Sequence, residues 1–254
     1  MKKLLSKFTT YEKVWWLTVT VIAIAAAVIF PEEDVNGHNG TLILGLQLLY
    51  TVLNVTCELL ISKQSAWNFI VSIFIEINEI AIFLLLAARF ATMATVVLFW
   101  LPMDIASFIL WKDHPDKENK ALTEVRALSG WKLLAVIGGI IVWTAGIGSL
   151  LCYITDNLTV TTLFNGNRNI EIIVCYLDAM VSALDICNGT FILLRFREQW
   201  FAWYLEVIFD AAIWILSGQY FMLILTLGYL SNTTYGFIKW TRYAKEHKTK
   251  TEYV

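Results

Sequence analysis

Apolar runs of the length a helix needs to cross a membrane, roughly 17 to 25 residues for a hydrocarbon core of about 30 Å, recur along this chain. Eight are found, near Val14–Phe30, Thr41–Ile61, Trp67–Leu86, Ala91–Trp111, Leu133–Tyr153, Glu171–Leu194, Phe201–Leu216 and Tyr220–Lys239. Short polar segments separate them, so the pattern predicts an all-α integral membrane protein of eight transmembrane helices. The first run follows MKKLLSK and contains AIAAA, as a secretory signal peptide would. We expect it to be retained as a span.

Two endings repeat. LPMDIASFILW (Leu101 to Trp111) and LSNTTYGFIKW (Leu230 to Trp240) share Leu, Phe, Ile and Trp at the same places, with Ser107 against Gly236. NVTCELL (Asn54 to Leu60) likewise matches NGTFILL (Asn188 to Leu194), and each copy lies in the helix that begins a set of three. SKQSAWNF in one copy and RFREQWFAW in the other follow as a basic turn and a tryptophan-bearing helix start. Matched helices lie four apart, and four crossings restore the original direction, so the expected order is 1 + 3 + 1 + 3: two parallel three-helix repeats joined by a linking helix. The expected divisions are residues 1–40 (extra helix and acidic external loop), 41–111 (first repeat), 112–153 (cytoplasmic loop and linking helix), 154–240 (second repeat) and 241–254 (basic cytoplasmic tail).

Composition agrees with the pattern. At 58% hydrophobic and 16% charged residues, with a mean hydropathy of +0.63, 254 residues hold too little polar surface to cover a soluble globule. With the N-terminus inside, the basic residues from Lys2 to Lys13, Lys63, Lys112 to Lys132, Arg195, Arg197 and Lys239 to Lys250 fall on one side, leaving Arg89 and Arg168 on the other. Both termini are thus expected in the cytoplasm and PEEDVNGHNG outside.

The remaining chemistry lies in polar groups at bilayer depth, which cost roughly 2.5–3.5 kcal/mol each and so face a bundle interior or a wet cavity. Asp178, Ser182, Asp185 and Asn188 share one helix face; Trp203, Glu206, Asp210 and Trp214 share another. The first half offers Gln47, Asn54 and Glu58, then Asn68, Ser72, Glu76 and Glu79, then Trp100 and Asp104; the last helix adds Tyr229, Asn232 and Gly236. Aromatic planes beside amides and carboxyls suit a flat heterocycle bearing a hydroxylated sugar. The candidate substrate-binding residues are Asn68, Glu76, Trp100, Asp104, Asp178, Asn188, Trp203, Glu206, Asp210, Tyr229 and Asn232.

Each has a structural alternative. Trp15, Trp16, Trp67, Trp111 and Trp240, near helix ends, read as interface anchors. Asn54 and Asn188 either hold helices together or line a site. The buried acids either carry a proton during transport or stay protonated as fixed donors. With no Lys or Arg deep in a span, the substrate is expected to be neutral or cationic and to lack a phosphate.

Cys57, Cys152, Cys175 and Cys187 show no metal or redox spacing, His38, His114 and His247 are scattered, and no GxSxG or HExxH occurs. No metal, cofactor, nucleic acid or enzymatic activity is expected; a receptor or structural role remains the competing class.

Several motifs carry a resemblance. DAMVSAL (Asp178 to Leu184), REQWFAW (Arg197 to Trp203) and the L-x-N-x-x-Y-G-x-x-x-W pattern (Leu230 to Trp240), with WNF (Trp67 to Phe69) and Pro102-Met103-Asp104 in the first half, look like those of the PnuC family of vitamin transporters. The resemblance runs from about Thr41 to Trp240. It implies a SWEET-like core of three, one and three helices with an optional extra N-terminal helix, a bacterial plasma-membrane location and a trimer. It further implies facilitated diffusion of nicotinamide riboside, thiamine, riboflavin or deoxynucleosides, trapped by a cytoplasmic kinase. Asp104 and Val207 depart from the pattern associated with nicotinamide riboside, which favours another nucleoside such as thymidine or deoxycytidine, with nicotinamide riboside kept beside them. The alternative is proton-coupled uptake of thiamine or riboflavin through the intramembrane carboxylates.

Overall fold

A computed structural model describes residues 8–31, 33–34, 37–86, 89–114, 125–126, 128, 130–157 and 167–246. Eight helices follow one another among them: α1 Thr10–Ile29, α2 Gly40–Ser62, α3 Asn68–Leu86, α4 Phe90–Asp113, α5 Gly130–Asn157, α6 Arg168–Leu193, α7 Gln199–Leu216 and α8 Tyr220–Glu246. Six of them, all but α6 and α8, are long and apolar enough to cross a membrane. The polarity of α6 has a packing cause: it is wedged against α4, α5 and α7, so Asp178, Ser182, Asp185 and Asn188 face protein and are buried.

Side chains at the termini start the helices. Thr9 and Glu12 form a reciprocal capping box on α1, Asn39 accepts from Thr41 N on α2, and Asn167 accepts from Ile170 N on α6. The α2–α3 and α6–α7 turns share one geometry. Gln64 (φ 55°) and Arg195 (φ 64°) take left-handed conformations, and the next residue in each closes back onto its helix, Ser65 N to Leu60 O and Phe196 N to Phe191 O. Arg89 (φ 59°) and Gly218 (φ 71°) turn the chain at the opposite end of the bundle.

Inside α4, residues Val96–Trp100 form one π-helical turn, closed by Leu101 N on Val96 O. Pro102 has no N–H to offer the preceding turn, and a widened turn accommodates that loss.

The two repeated endings bond to each other's half. Trp111 Nε1, at the end of α4, donates to Ile192 O on α6 (2.9 Å), and Trp240 Nε1, near the end of α8, donates to Ile61 O on α2 (3.2 Å). Phe69 lies edge-on to Trp111, centroids 4.9 Å apart, and Trp200 edge-on to Trp240 at 5.8 Å. Both Trp residues are buried, at 2% and 0% exposure, which corrects the expectation of interface anchors; Trp15 is likewise buried, donating to Ser231 Oγ, whereas Trp67 is exposed. An indole N–H out of reach of water needs an acceptor, and the second lone pair of each carbonyl supplies one beside the turn bond from Gln64 N or Arg195 N.

Val125 packs into the same aromatic cluster, and Arg126 exchanges backbone bonds with Arg195 and Arg197 across the α6–α7 turn. Helix α1 is held against α2 and α8 by Glu12, fully buried, which meets Lys63 Nζ (2.8 Å), Lys239 Nζ (3.2 Å) and the Tyr235 hydroxyl (3.1 Å).

Candidate functional site

An internal cavity of about 120 Å³ lies between α2, α3, α4, α6, α7 and α8. Helical spacing delivers its polar lining: Ser72, Glu76 and Glu79 from α3, Asp185 and Asn188 from α6, Trp203, Glu206, Asp210 and Trp214 from α7. Tyr50 and Asn54 come from α2, Trp100 from the π turn of α4, Thr226 and Tyr229 from α8.

Several contacts fix these groups. Trp203 stacks on the fully buried Trp200, centroids 5.5 Å apart and planes 14° from parallel, so its ring is held against the cavity wall. Asn188 Nδ2 donates to Glu206 Oε2 (3.5 Å) and Ser72 Oγ to Glu76 Oε1 (3.4 Å). Asn188 Oδ1 is buried without a hydrogen-bond partner among the described residues, as an acceptor awaiting a ligand or water would be.

Arg89 also belongs to the cavity lining. Its Nη2 lies 2.7 Å from Asp210 Oδ1, its Nε 3.8 Å from Asp178 Oδ1, and its guanidinium carbon 5.2 and 5.1 Å from the centroids of the Phe83 and Trp214 rings. No Lys or Arg is expected deep in a span; Arg89 stands between α3 and α4 rather than within a helix, yet it is buried. Arg89 belongs to the α3–α4 turn, but the left-handed backbone there turns its side chain inward, where two carboxylates and two aromatic faces replace its water.

Of the residues expected to bind substrate, Glu76, Trp100, Asn188, Trp203, Glu206, Asp210 and Tyr229 line this cavity. The other four lie outside its lining. Asp178 accepts from Ala91 N (3.0 Å), Thr92 N (3.3 Å) and Thr92 Oγ1 (2.6 Å), satisfying the first turn of α4. Asn68 Nδ2 donates to Ser65 O at the start of α3. Asn232 Nδ2 donates to Glu58 Oε2 (2.8 Å), joining α8 to α2, and Asp104 is buried at 1% exposure. Tyr50, Asn54, Ser72, Glu79, Arg89, Thr92, Asp185, Trp214 and Thr226 also line the cavity without having been among the candidates. Glu79, Asp185 and Trp214 stand in the predicted stripes, whereas Arg89 carried no sequence signal.

A bundle of mostly apolar helices around a carboxyl-rich and aromatic cavity defines a membrane carrier of a small molecule. The chain belongs to the nicotinamide mononucleotide transporter family, whose model matches residues 44–242. It is similar to the nicotinamide riboside transporter PnuC of Neisseria mucosa, at 22% identity over 97% of this chain and 86% of that protein. It is also similar to PnuC of Haemophilus influenzae, at 20% identity over 96% of this chain and 95% of that one. The crystal structure of a vitamin B3 transporter PnuC superposes with a TM-score of 0.72 at 19% identity, covering 96% of each chain, and so shares the fold. The protein is a multi-pass membrane transporter and not an enzyme.

Proposed function

We propose that this protein carries an unphosphorylated nucleoside with a positively charged ring, nicotinamide riboside first among such compounds. The observation that carries the reading is the imbalance of the cavity: Glu76, Glu79, Asp185, Glu206 and Asp210 line it, against Arg89 alone among the cations, and that guanidinium is already engaged by Asp178 and Asp210. Such a lining attracts a pyridinium and repels a phosphate. Trp100, Trp203, Trp214 and Tyr229 offer faces for the ring, and Asn54, Asn188 and Ser72 offer partners for ribose hydroxyls. The names of the relatives point to the same substrate.

Transport is read as facilitated diffusion, with a cytoplasmic kinase trapping the product and both termini inside the cell. The matched turns and the crossed Trp111 and Trp240 bonds support two parallel three-helix repeats around the cavity. A trimer is part of the proposal.

The test is uptake of radiolabelled nicotinamide riboside into proteoliposomes without ion gradients, beside thymidine, deoxycytidine, thiamine, riboflavin and nicotinamide mononucleotide. Nicotinamide riboside is expected to equilibrate and the mononucleotide to be refused. Equilibration of thymidine or deoxycytidine alone would overturn the charge argument, and accumulation of thiamine or riboflavin that a protonophore abolishes would favour proton-coupled vitamin uptake.

A further inference from the structure

The guanidinium in the cavity lining raises a question of competition. A cation entering a site rich in carboxyl groups meets one that is already there. Arg89 bridges three elements: it is carried by the α3–α4 turn, faces Asp178 on α6 and lies 2.7 Å from Asp210 on α7. Its side chain is 4% exposed, with the Phe83 ring from α3 and the Trp214 ring from α7 centred 5.2 and 5.1 Å from its guanidinium carbon. The two carboxylates differ in what else holds them. Asp178 keeps three donors from Ala91 and Thr92 whether Arg89 stays or leaves. Asp210 is 20% exposed in its side chain and lines the cavity, and among the described residues Arg89 is the cation that pairs with it. The ion pair with Asp210 is therefore the contact a positively charged ligand can reach and replace, while Asp178 retains the guanidinium.

We propose that Arg89 is a tethered cation that latches the α3–α4 turn to α7, closing the cavity beside that turn, and that the positive ring of the substrate releases the latch by taking over Asp210. The latch makes charge, rather than shape alone, the signal for opening. Binding energy that would otherwise hold the substrate is spent on separating Arg89 from Asp210, so a ligand opens the cavity there only if it interacts better with the unlatched form. The inference rests on the cationic-substrate reading above.

The test uses nicotinamide riboside and its reduced form, which has nearly the same shape and no charge on the ring. In wild type, binding of the oxidised form establishes the substrate reading; if neither form binds, that reading fails before Arg89 is tested. Given binding, Arg89→Gln is expected to tighten the oxidised form by about tenfold relative to the reduced form, because Asp210 is then free. A second readout places a cysteine at Met222, on the cavity wall, in a chain whose Cys57, Cys152, Cys175 and Cys187 are replaced by Ala. Labelling by an impermeant maleimide in detergent is expected to be slow with Arg89 present, accelerated by the oxidised nucleoside and not by the reduced one, and fast in Arg89→Gln with or without ligand. If Arg89→Gln does not fold, Asp210→Asn breaks the same ion pair while leaving Asp178 beside the guanidinium, and fast labelling is expected there too. An unchanged ratio of the two affinities in Arg89→Gln, or unchanged labelling in Arg89→Gln or Asp210→Asn, overturns the latch and leaves the substrate reading standing.

Discussion

Gly236 and Trp200 are closely fitted, the matching positions of the first half hold Ser107 and Phe69, and exchanging the members gives a sharp test of the repeat. A Cβ built on Gly236 would overlap the benzenoid edge of Trp200. The indole has nowhere to go: it is fully buried, stacked on Trp203 at 5.5 Å and edge-on to Trp240 at 5.8 Å. Gly236→Ser is therefore expected to cost about 2 kcal/mol, within the usual 1–3 kcal/mol of an overpacked core, after the better helix propensity of Ser offsets a few tenths. Trp200→Phe alone loses ring burial and leaves a void, for about 1–2 kcal/mol. It breaks no hydrogen bond, since Trp200 Nε1 has no partner among the described residues. The double variant restores the Phe and Ser combination of the first half and is expected to be no less stable than Trp200→Phe, a coupling of about 2 kcal/mol. The assay is thermal unfolding in detergent followed by a fluorophore that reacts with the buried Cys57 thiol, at one scan rate. For a chain of this size the single Gly236→Ser should lower the midpoint by roughly 4–8 °C. A double variant as unstable as the two single losses added together would refute the size-matching argument.

Other consequences are more local. Trp111→Phe and Trp240→Phe each remove one bond between the halves, and each is expected to lower stability by about 1 kcal/mol, read as a midpoint shift; equal effects would reflect their reciprocal positions. Glu12→Gln removes the charge that Lys63 and Lys239 share, and is expected to cost about 1–2 kcal/mol and to expose α1 to limited proteolysis while leaving ligand affinity within twofold, by about the same measure as other ion pairs distant from a site. Trp203→Ala should weaken nucleoside binding by about 1–3 kcal/mol in a titration, whereas Asn232→Ala, which strips Glu58 of its donor outside the cavity, should lower the unfolding midpoint and leave the dissociation constant unchanged.

Much of the fold was legible because a bilayer imposes length and hydrophobicity on every crossing element. The eight helices of the described residues overlap the apolar runs, six of them long and apolar enough to cross a membrane, with α8 continuing past Lys239 to Glu246. The stripes were legible for a related reason: polar groups placed every three or four residues in an apolar helix must converge on something polar, and Glu76, Asn188, Glu206 and Asp210 do. Spacing could not distinguish a group that faces the cavity from one spent on holding backbone. Asp178 shares a helix face with Asp185, yet it serves the first turn of α4, and Asn232 serves Glu58.

What the sequence by itself determined, then, is the all-α class, the approximate limits of the described helices, the polar faces and the repetition of two endings. The tertiary structure decided what those pieces do to one another. The shared tryptophans read as anchors from their places near helix ends, and only packing shows each reaching a carbonyl of the opposite half. Arg89 read as an external loop residue, because a positive charge beside a turn belongs in water unless something else solvates it. Asp178, Asp210, Phe83 and Trp214 do so, and they come from three helices that no local pattern could have brought together.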